Sequence, residues 1–175
     1  SYKIVNTKEL QEKGYLAHLN IRVLLLKHDP ITFDTYQDEI EYLITHEKRN
    51  KFIRNLVWDL KGNTLILYSR VATHGEVLYD IINKVERKIF FVHGGVDVEE
   101  RESVRKITEE EDNAIIIASF GTFSTGINIK NLHNVIFASP SKSRIRTLQS
   151  IGRVLRKSKD KLNATLYDIA DDCKK

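Results

Sequence analysis

Five short runs of β-branched and aliphatic residues recur along the second two-thirds of the chain, each bounded by polar residues: Thr64 to Ser69, Lys88 to His93, Ala114 to Ser119, Asn134 to Ser139 and Ala164 to Asp168. They are apolar almost throughout, which predicts strands buried on both faces. The segments between them carry helical spacing instead. Leu78, Ile81, Ile82 and Val85 form one stripe after a Thr73-His74-Gly75 turn, and Val104 and Ile107 mark another beyond Asp97. Asp97, with Glu100 three residues on, reads as a capping box that starts this helix. Arg144 to Arg156 places Ile145, Leu148, Ile151 and Leu155 on one side and basic residues on the other. Upstream, Thr35 to Leu60 reads as one long amphipathic helix that buries Tyr36, Ile40, Leu43, Ile44, Phe52, Ile53, Leu56 and Val57 and ends at Lys61-Gly62-Asn63. Ile21 to Leu26 reads as an edge strand, and Thr7 to Lys13 as a short helix closed by Gly14. Strands alternating with helices predict an α/β domain, a mostly parallel sheet covered on both faces.

Composition narrows the class without changing this picture. At 175 residues the chain holds one domain of ordinary size plus an extension, and 41% hydrophobic with 30% charged residues is the balance of a packed domain. No apolar run nears the ~18 residues that span a bilayer. The first residues lack the apolar core of a signal peptide, so the expectation is a cytosolic protein or an internal fragment. A single cysteine, Cys173, excludes an internal disulfide framework. Charge is informative by place. The net charge is +4, yet Lys142 to Lys161 alone carries eight basic residues against Asp160, leaving the rest of the chain acidic. That asymmetry suits a polyanion met by one face; a merely solvated basic surface is the alternative reading.

In an open α/β sheet, ligands gather at the C-terminal ends of the strands, and three segments there carry unusual polar residues. Ser69-Arg70 through Gly75 follows the first of the five runs. Ser119-Phe120-Gly121-Thr122-Phe123-Ser124-Thr125-Gly126-Ile127-Asn128 follows the third and reads as a loop of amides and hydroxyls suited to phosphate oxygens. Gln149-Ser150-Ile151-Gly152-Arg153-Val154-Leu155-Arg156 is the most specific. Arg153 and Arg156, three apart on a helix, converge on one side, and Gln149 joins them one turn earlier. Gly152 admits close approach but costs about 1 kcal/mol of helix stability relative to alanine. The histidines show no spaced metal-ligand pattern, so no metal site is expected. Trp58 lies on the apolar side of the long helix and reads as core.

Q-S-I-G-R-V-L-R resembles motif VI of superfamily 2 helicases, Q-x-x-G-R-x-x-R, and three further segments fall in that family's order. Thr64 to Ser69 resembles motif IV. Val92-His93-Gly94-Gly95 through Arg101 resembles the H-G-x-x-x-x-x-x-R stretch, and Ala118 to Lys130 with the following strand resembles motif V. G-T-F-S-T-G-I-N-I-K-N-L-H-N-V-I-F-A-S and R-N-K-F-I are most similar to phage UvsW-type DNA helicases. The resemblance implies a RecA-like three-layer α/β/α domain over residues 34–175, the second of two motor domains, with residues 1–33 as a lead-in from a first one. It implies ATP and Mg2+ bound mainly by that first domain, because this chain contains neither G-x-x-x-x-G-K-[ST] nor D-E-x-[DH]. Alone, the chain is expected not to hydrolyse ATP. The resemblance assigns Arg153 and Arg156 as arginine fingers and Gln149 to the phosphate or water network. It places Gly126, Asn128 and Gly152 along the nucleotide, and Ser69, Arg70, His93, Arg101, Ser119, Thr122 and Thr125 on the DNA backbone. Asn128 stands where many members have Asp, and Val98 where some have Gln. The implied whole is a DNA helicase of host cytoplasm acting on single-stranded or branched DNA in recombination and repair. A catalytically inactive RecA-like nucleic-acid-binding module is the alternative, and an unrelated nucleotide-binding enzyme such as a glycosyltransferase a third reading.

Overall fold

The structure, a computed structural model, describes residues 4–10, 19–126, 129, 131–157 and 163–174, with backbone alone for 4–10, 125, 126, 156 and 157. Thirteen elements follow in chain order: β1 (Ile4–Leu10), β2 (Leu19–Lys27), α1 (Tyr36–Thr45), α2 (Glu47–Asp59), β3 (Thr64–Tyr68), α3 (Glu76–Ile82), β4 (Ile89–Val92), α4 (Val98–Glu110), β5 (Ile115–Ser119), α5 (Phe120–Gly126), β6 (Asn134–Phe137), α6 (Arg144–Lys157) and β7 (Ala164–Asp172). One seven-stranded sheet runs β1-β2-β7-β6-β3-β5-β4, parallel throughout except for β1, which pairs antiparallel with β2. Of the five runs, β3, β5 and β6 are buried on both faces, whereas β4, at the edge of the sheet, and β7 are only partly buried. Leu65, Leu67, Ile116, Ala118, Val135 and Phe137 point into a core shared with α4, α5 and α6. Ile66, Tyr68, Ile115, Ile117, Ile136 and Ala138 point into one shared with α2 and α3. Each fully buried aliphatic side chain contributes about 1.5–3 kcal/mol, so the two cores together hold the three layers.

Several expectations differ from the structure. Thr7 to Leu10, read as part of a helix, lie in β1, where Thr7 pairs with Leu24 and Leu10 with Ile21; a helix that short is marginal, whereas pairing to β2 satisfies the backbone along its length. Residues 11–14 lie outside the described residues. Ile21 to Leu26 is not an edge, because β2 sits between β1 and β7. Pairing with all nine residues of β2 also carries β7 on to Asp172. The single long helix breaks at His46, whose extended backbone (φ −73, ψ 113) ends α1 and starts α2. Asn50 stabilises the break by donating Nδ2 to the Ile44 carbonyl at 2.9 Å. The α4 start agrees with the reading: Asp97 Oδ1 accepts from the Glu100 amide at 2.7 Å. Trp58 is partly buried beside α3, its indole N–H donating to the Ile82 carbonyl at 3.1 Å.

At the N-terminal ends of the strands Asn63 joins three loops. Its Nδ2 donates to the carbonyls of Thr108, Glu111 and Asn131 (3.2, 2.6 and 2.8 Å), and its Oδ1 accepts from the Ala114 amide at 2.8 Å. The turn before it needs Gly62, at φ +100, because a side chain there would be strained and would strike His133. Asn63 is fully buried. Asn63→Ala strands several buried polar groups at about 1–3 kcal/mol each, so urea denaturation is expected to show a loss of about 2–4 kcal/mol; a loss below about 0.5 kcal/mol would contradict this assignment.

Candidate nucleotide and nucleic-acid interface

The strand order sets β4, β5 and β3 side by side, so residues at their C-terminal ends form a row. Ser119 pairs in register with Tyr68, and Val92 with Ala118, which brings Ser69-Arg70, Ser119 and His93 to one edge. At about 4.8 Å per strand the row spans about 10 Å. His93 packs edge-on against Phe91 with ring centroids 5.2 Å apart, and its Nδ1 accepts from the Gly95 amide at 3.1 Å. Arg101 lies in the first turn of α4, half-buried, and its Nε donates to the Val96 carbonyl at 3.1 Å. Arg70 Nη2 donates to Gln37 Oε1 of α1 at 2.6 Å.

The segment after β5, read as an open loop, is instead the short helix α5 from Phe120 on. The Ser119 hydroxyl starts it: Oγ accepts from the Thr122 amide at 3.0 Å and donates to Thr122 Oγ1 at 2.6 Å, while Phe120 and Phe123 are buried. Helical geometry wins because those two aromatic rings gain a core position that a loop would leave open. The Thr122 amide therefore serves the helix start. Asn128 lies outside the described residues, as do the side chain of Thr125 and the surroundings of Gly126.

Behind the row lies a buried network that the sequence did not reveal. Arg70 O accepts from both the His74 and Gly75 amides (3.2 and 2.9 Å), a widened π-type turn that swings His74 inward. Gly75 is required there, since any Cβ would collide with the Tyr68 ring. Ser69 N–H donates to Ser139 Oγ at 3.2 Å, and Ser139 Oγ lies 2.7 Å from His74 Nδ1. His74 Nε2 lies 3.0 Å from Asn50 Oδ1. Because Asn50 Nδ2 donates to Ile44 O, its Oδ1 must accept; His74 is therefore the Nε2–H tautomer and receives the Ser139 proton at Nδ1. Burial, and then the charge of Arg49, lower the His74 pKa to about 3, so the ring is neutral. The partners lie 24 and 65 residues from His74 in sequence, too far apart for any local pattern to mark them. The Ser69 hydroxyl is also engaged, donating to the Pro140 carbonyl at 3.2 Å.

Helix α6 carries the motif VI residues. Leu148, Ile151 and Leu155 pack into the core, and Gly152 is buried among them. Gln149 is half-buried, and Arg153 is exposed with Nη2 donating to Ser150 Oγ at 3.2 Å. The side chain of Arg156 lies outside the described residues. Ile145, expected on the buried stripe, is 72% exposed. Arg144 turns inward in its place and pairs with Asp168 Oδ2 in the middle of β7; burial pushes its pKa down, against the pull of nearby Tyr36 and Asp171. Cys173 is buried, and burial with the neighbouring carboxylates pushes its thiol up to about 11.

Residues 47–158 match the model of the helicase conserved C-terminal domain. The chain belongs to that family. It is 39% identical over 178 residues to the ATP-dependent DNA helicase UvsW of Enterobacteria phage T4, an alignment covering 97% of this chain and 35% of that protein. The crystal structure of T4 UvsW matches with a TM-score of 0.76 at 36% identity, over 97% of this chain and 34% of that one. Dbp5 of S. cerevisiae, solved bound to RNA and ADP BeF3, shares the fold at a TM-score of 0.54 and 18% identity, over 71% of this chain and 32% of its own. The chain is thus a helicase C-terminal domain with the RecA-like fold seen in T4 UvsW, and it spans about a third of the length of the curated relatives it matches. Among the described residues no helix of the domain is long and apolar enough to cross a membrane.

The neutral imidazole gives the helicase domain an acid sensitivity of defined sign. With a folded-state pKa of about 3 against 6.5 when unfolded, His74 binds its proton more readily in the unfolded chain, so stability falls as pH drops below 6.5 and levels off near 3. The expected slope is up to about 1.4 kcal/mol per pH unit within that window. Denaturant titrations from pH 7 to pH 4 should show a flatter profile for His74→Gln; equal slopes would refute the neutral, buried assignment.

Proposed function

We propose that this chain is the second motor domain of an ATP-dependent superfamily 2 DNA helicase that unwinds and remodels branched DNA in recombination and repair, in the host cytoplasm. The observation that carries the proposal is the division of α6: Leu148, Ile151, Gly152 and Leu155 fix the helix in the core, while Arg153 one turn after Gln149 is left exposed. Identity of 39% to an ATP-dependent DNA helicase supports the same reading.

The residues present fit a nucleotide only in part, as half of a shared site should. There is no phosphate-binding loop and no acidic pair for Mg2+ in the sequence, so those parts belong to a first motor domain of the same protein. ATP, when bound there, supplies the phosphoryl-transfer chemistry. Arg153 and Arg156 present guanidinium charge to the transferred group, where charge accumulates in the transition state. Gln149 orders the adjoining phosphate or water network, and Gly126 and Asn128 border the ribose, while Gly152, expected along the nucleotide, is buried on the core side of α6. The strand-end row meets the DNA backbone without reading its sequence. Within that row Arg70, His93 and Arg101 are the backbone contacts, and Thr125 is assigned with them. Ser69, Ser119 and Thr122, whose hydrogen bonds close on each other and on Ser139 and Pro140, shape the surface.

In the intact gene product, Arg153→Ala is expected to lower the DNA-stimulated ATP turnover number by about 10³-fold or more while DNA affinity stays within about threefold. Steady-state turnover with single-stranded DNA, paired with a binding titration, measures both. Full turnover in the alanine variant would remove the finger assignment, and a loss confined to binding would favour the catalytically inactive module.

A further inference from the structure

We propose that Lys142 is a further phosphate contact of the DNA-binding surface, standing beside Arg70 on a platform made by the first turn of α1. The inference rests on the reading that this edge of the sheet meets DNA. Strands β3 and β6 are parallel neighbours, with Leu67 paired to Phe137. The loops that follow them leave the sheet together. They are joined by three hydrogen bonds: Ala138 N–H to Leu67 O at 2.9 Å, Ser69 N–H to Ser139 Oγ at 3.2 Å and Ser69 Oγ–H to Pro140 O at 3.2 Å. His74 and Asn50 anchor Ser139 from below, and Ser141 Oγ accepts from the Ser143 amide at 3.0 Å, ordering the turn in which Lys142 lies.

Adjacent residues of α1 hold the two cations. Arg70 Nη2 donates to Gln37 Oε1 at 2.6 Å, and Lys142 Nζ lies 5.6 Å from the centroid of the Tyr36 ring. A neutral amide and an aromatic face orient positive groups without cancelling their charge. Among the described residues neither cation is in an ion pair, whereas Arg144, two positions after Lys142, is paired with Asp168. Two oriented like charges, Lys142 exposed and Arg70 half-buried, raise the local positive potential, which a strand of phosphates relieves. An ordinary solvated lysine would need neither the aromatic seat nor the stitched loops.

The test uses the intact gene product and a single-stranded oligonucleotide of about 20 nucleotides, with affinity measured by fluorescence anisotropy over a range of salt concentrations. Lys142→Ala should weaken binding severalfold and reduce the slope of log affinity against log salt by about 0.7, the value of one single-strand phosphate contact. Lys142→Arg should keep the slope. Tyr36→Ala should weaken binding with the slope retained, because it unseats the lysine without removing its charge. If Lys142→Ala melts at the wild-type temperature and leaves both affinity and slope unchanged, the inference is overturned. Arg70→Ala separates the two levels: a reduced slope there with none for Lys142→Ala removes this inference alone, and unchanged slopes in both remove the DNA-facing reading of the edge.

Discussion

The ends of four elements are held by one buried charge. Arg49, fully buried on α2, gives Nε and Nη2 to the two carboxylate oxygens of Asp171 at 2.9 and 3.0 Å and Nη1 to the Ala138 carbonyl at 2.6 Å. His28, just past the end of β2, bonds the same carboxylate at 2.8 Å. Burial alone would raise the Asp171 carboxyl, but the His28 hydrogen bond and the Arg49 charge outweigh it and hold the group below its usual range. A guanidinium buried this deeply is tolerable because a bidentate acid and a carbonyl meet it; loss of one partner from such a pair costs about 3–5 kcal/mol. The arrangement thereby fixes how α2 lies against β6, β7 and the end of β2.

The candidate surface depends on that placement. Arg49 holds Ala138, and the next residue, Ser139, receives the Ser69 amide. Asn50, next to Arg49, holds His74, which accepts from Ser139 in turn. Two consecutive residues of one helix thus set the loops after β3 and β6 from beneath, while Gln37 and Tyr36 steady their cations from the side. On the opposite face of the sheet, α6 is fixed by apolar packing, with its polar motif residues at the margin of that contact. Function, in this reading, needs rigid placement of a few guanidinium and ammonium groups, and the fold supplies it through both cores.

Much of this was legible in the sequence wherever the cause is local. Strands buried on both faces betray themselves as continuous apolar runs, and the Gln149, Gly152, Arg153 and Arg156 spacing carries its chemistry within two helical turns. What was misread or missed depends on distant partners. Nothing near Thr7 announces that β2 will recruit it into a strand, and the break at His46 is set by Asn50 and by where Arg49 must point. Ile145 kept helical spacing yet lies outside, because Asp168, more than twenty residues on, draws Arg144 inward instead. Ser119 and Thr122 looked like open phosphate ligands, but two phenylalanines in the same stretch prefer the core and wind it into α5. The tie between Arg49 and Asp171 spans 122 residues and has no signature in either neighbourhood.

The central claim is that this domain is half of an engine whose nucleotide site is completed by another domain. The measurement that tests it most directly is ATP turnover by the 175-residue chain alone beside turnover by the intact gene product, each with and without single-stranded and branched DNA. The account predicts no turnover above background for the chain under any condition and DNA-stimulated turnover for the intact protein; hydrolysis by the chain alone would contradict it.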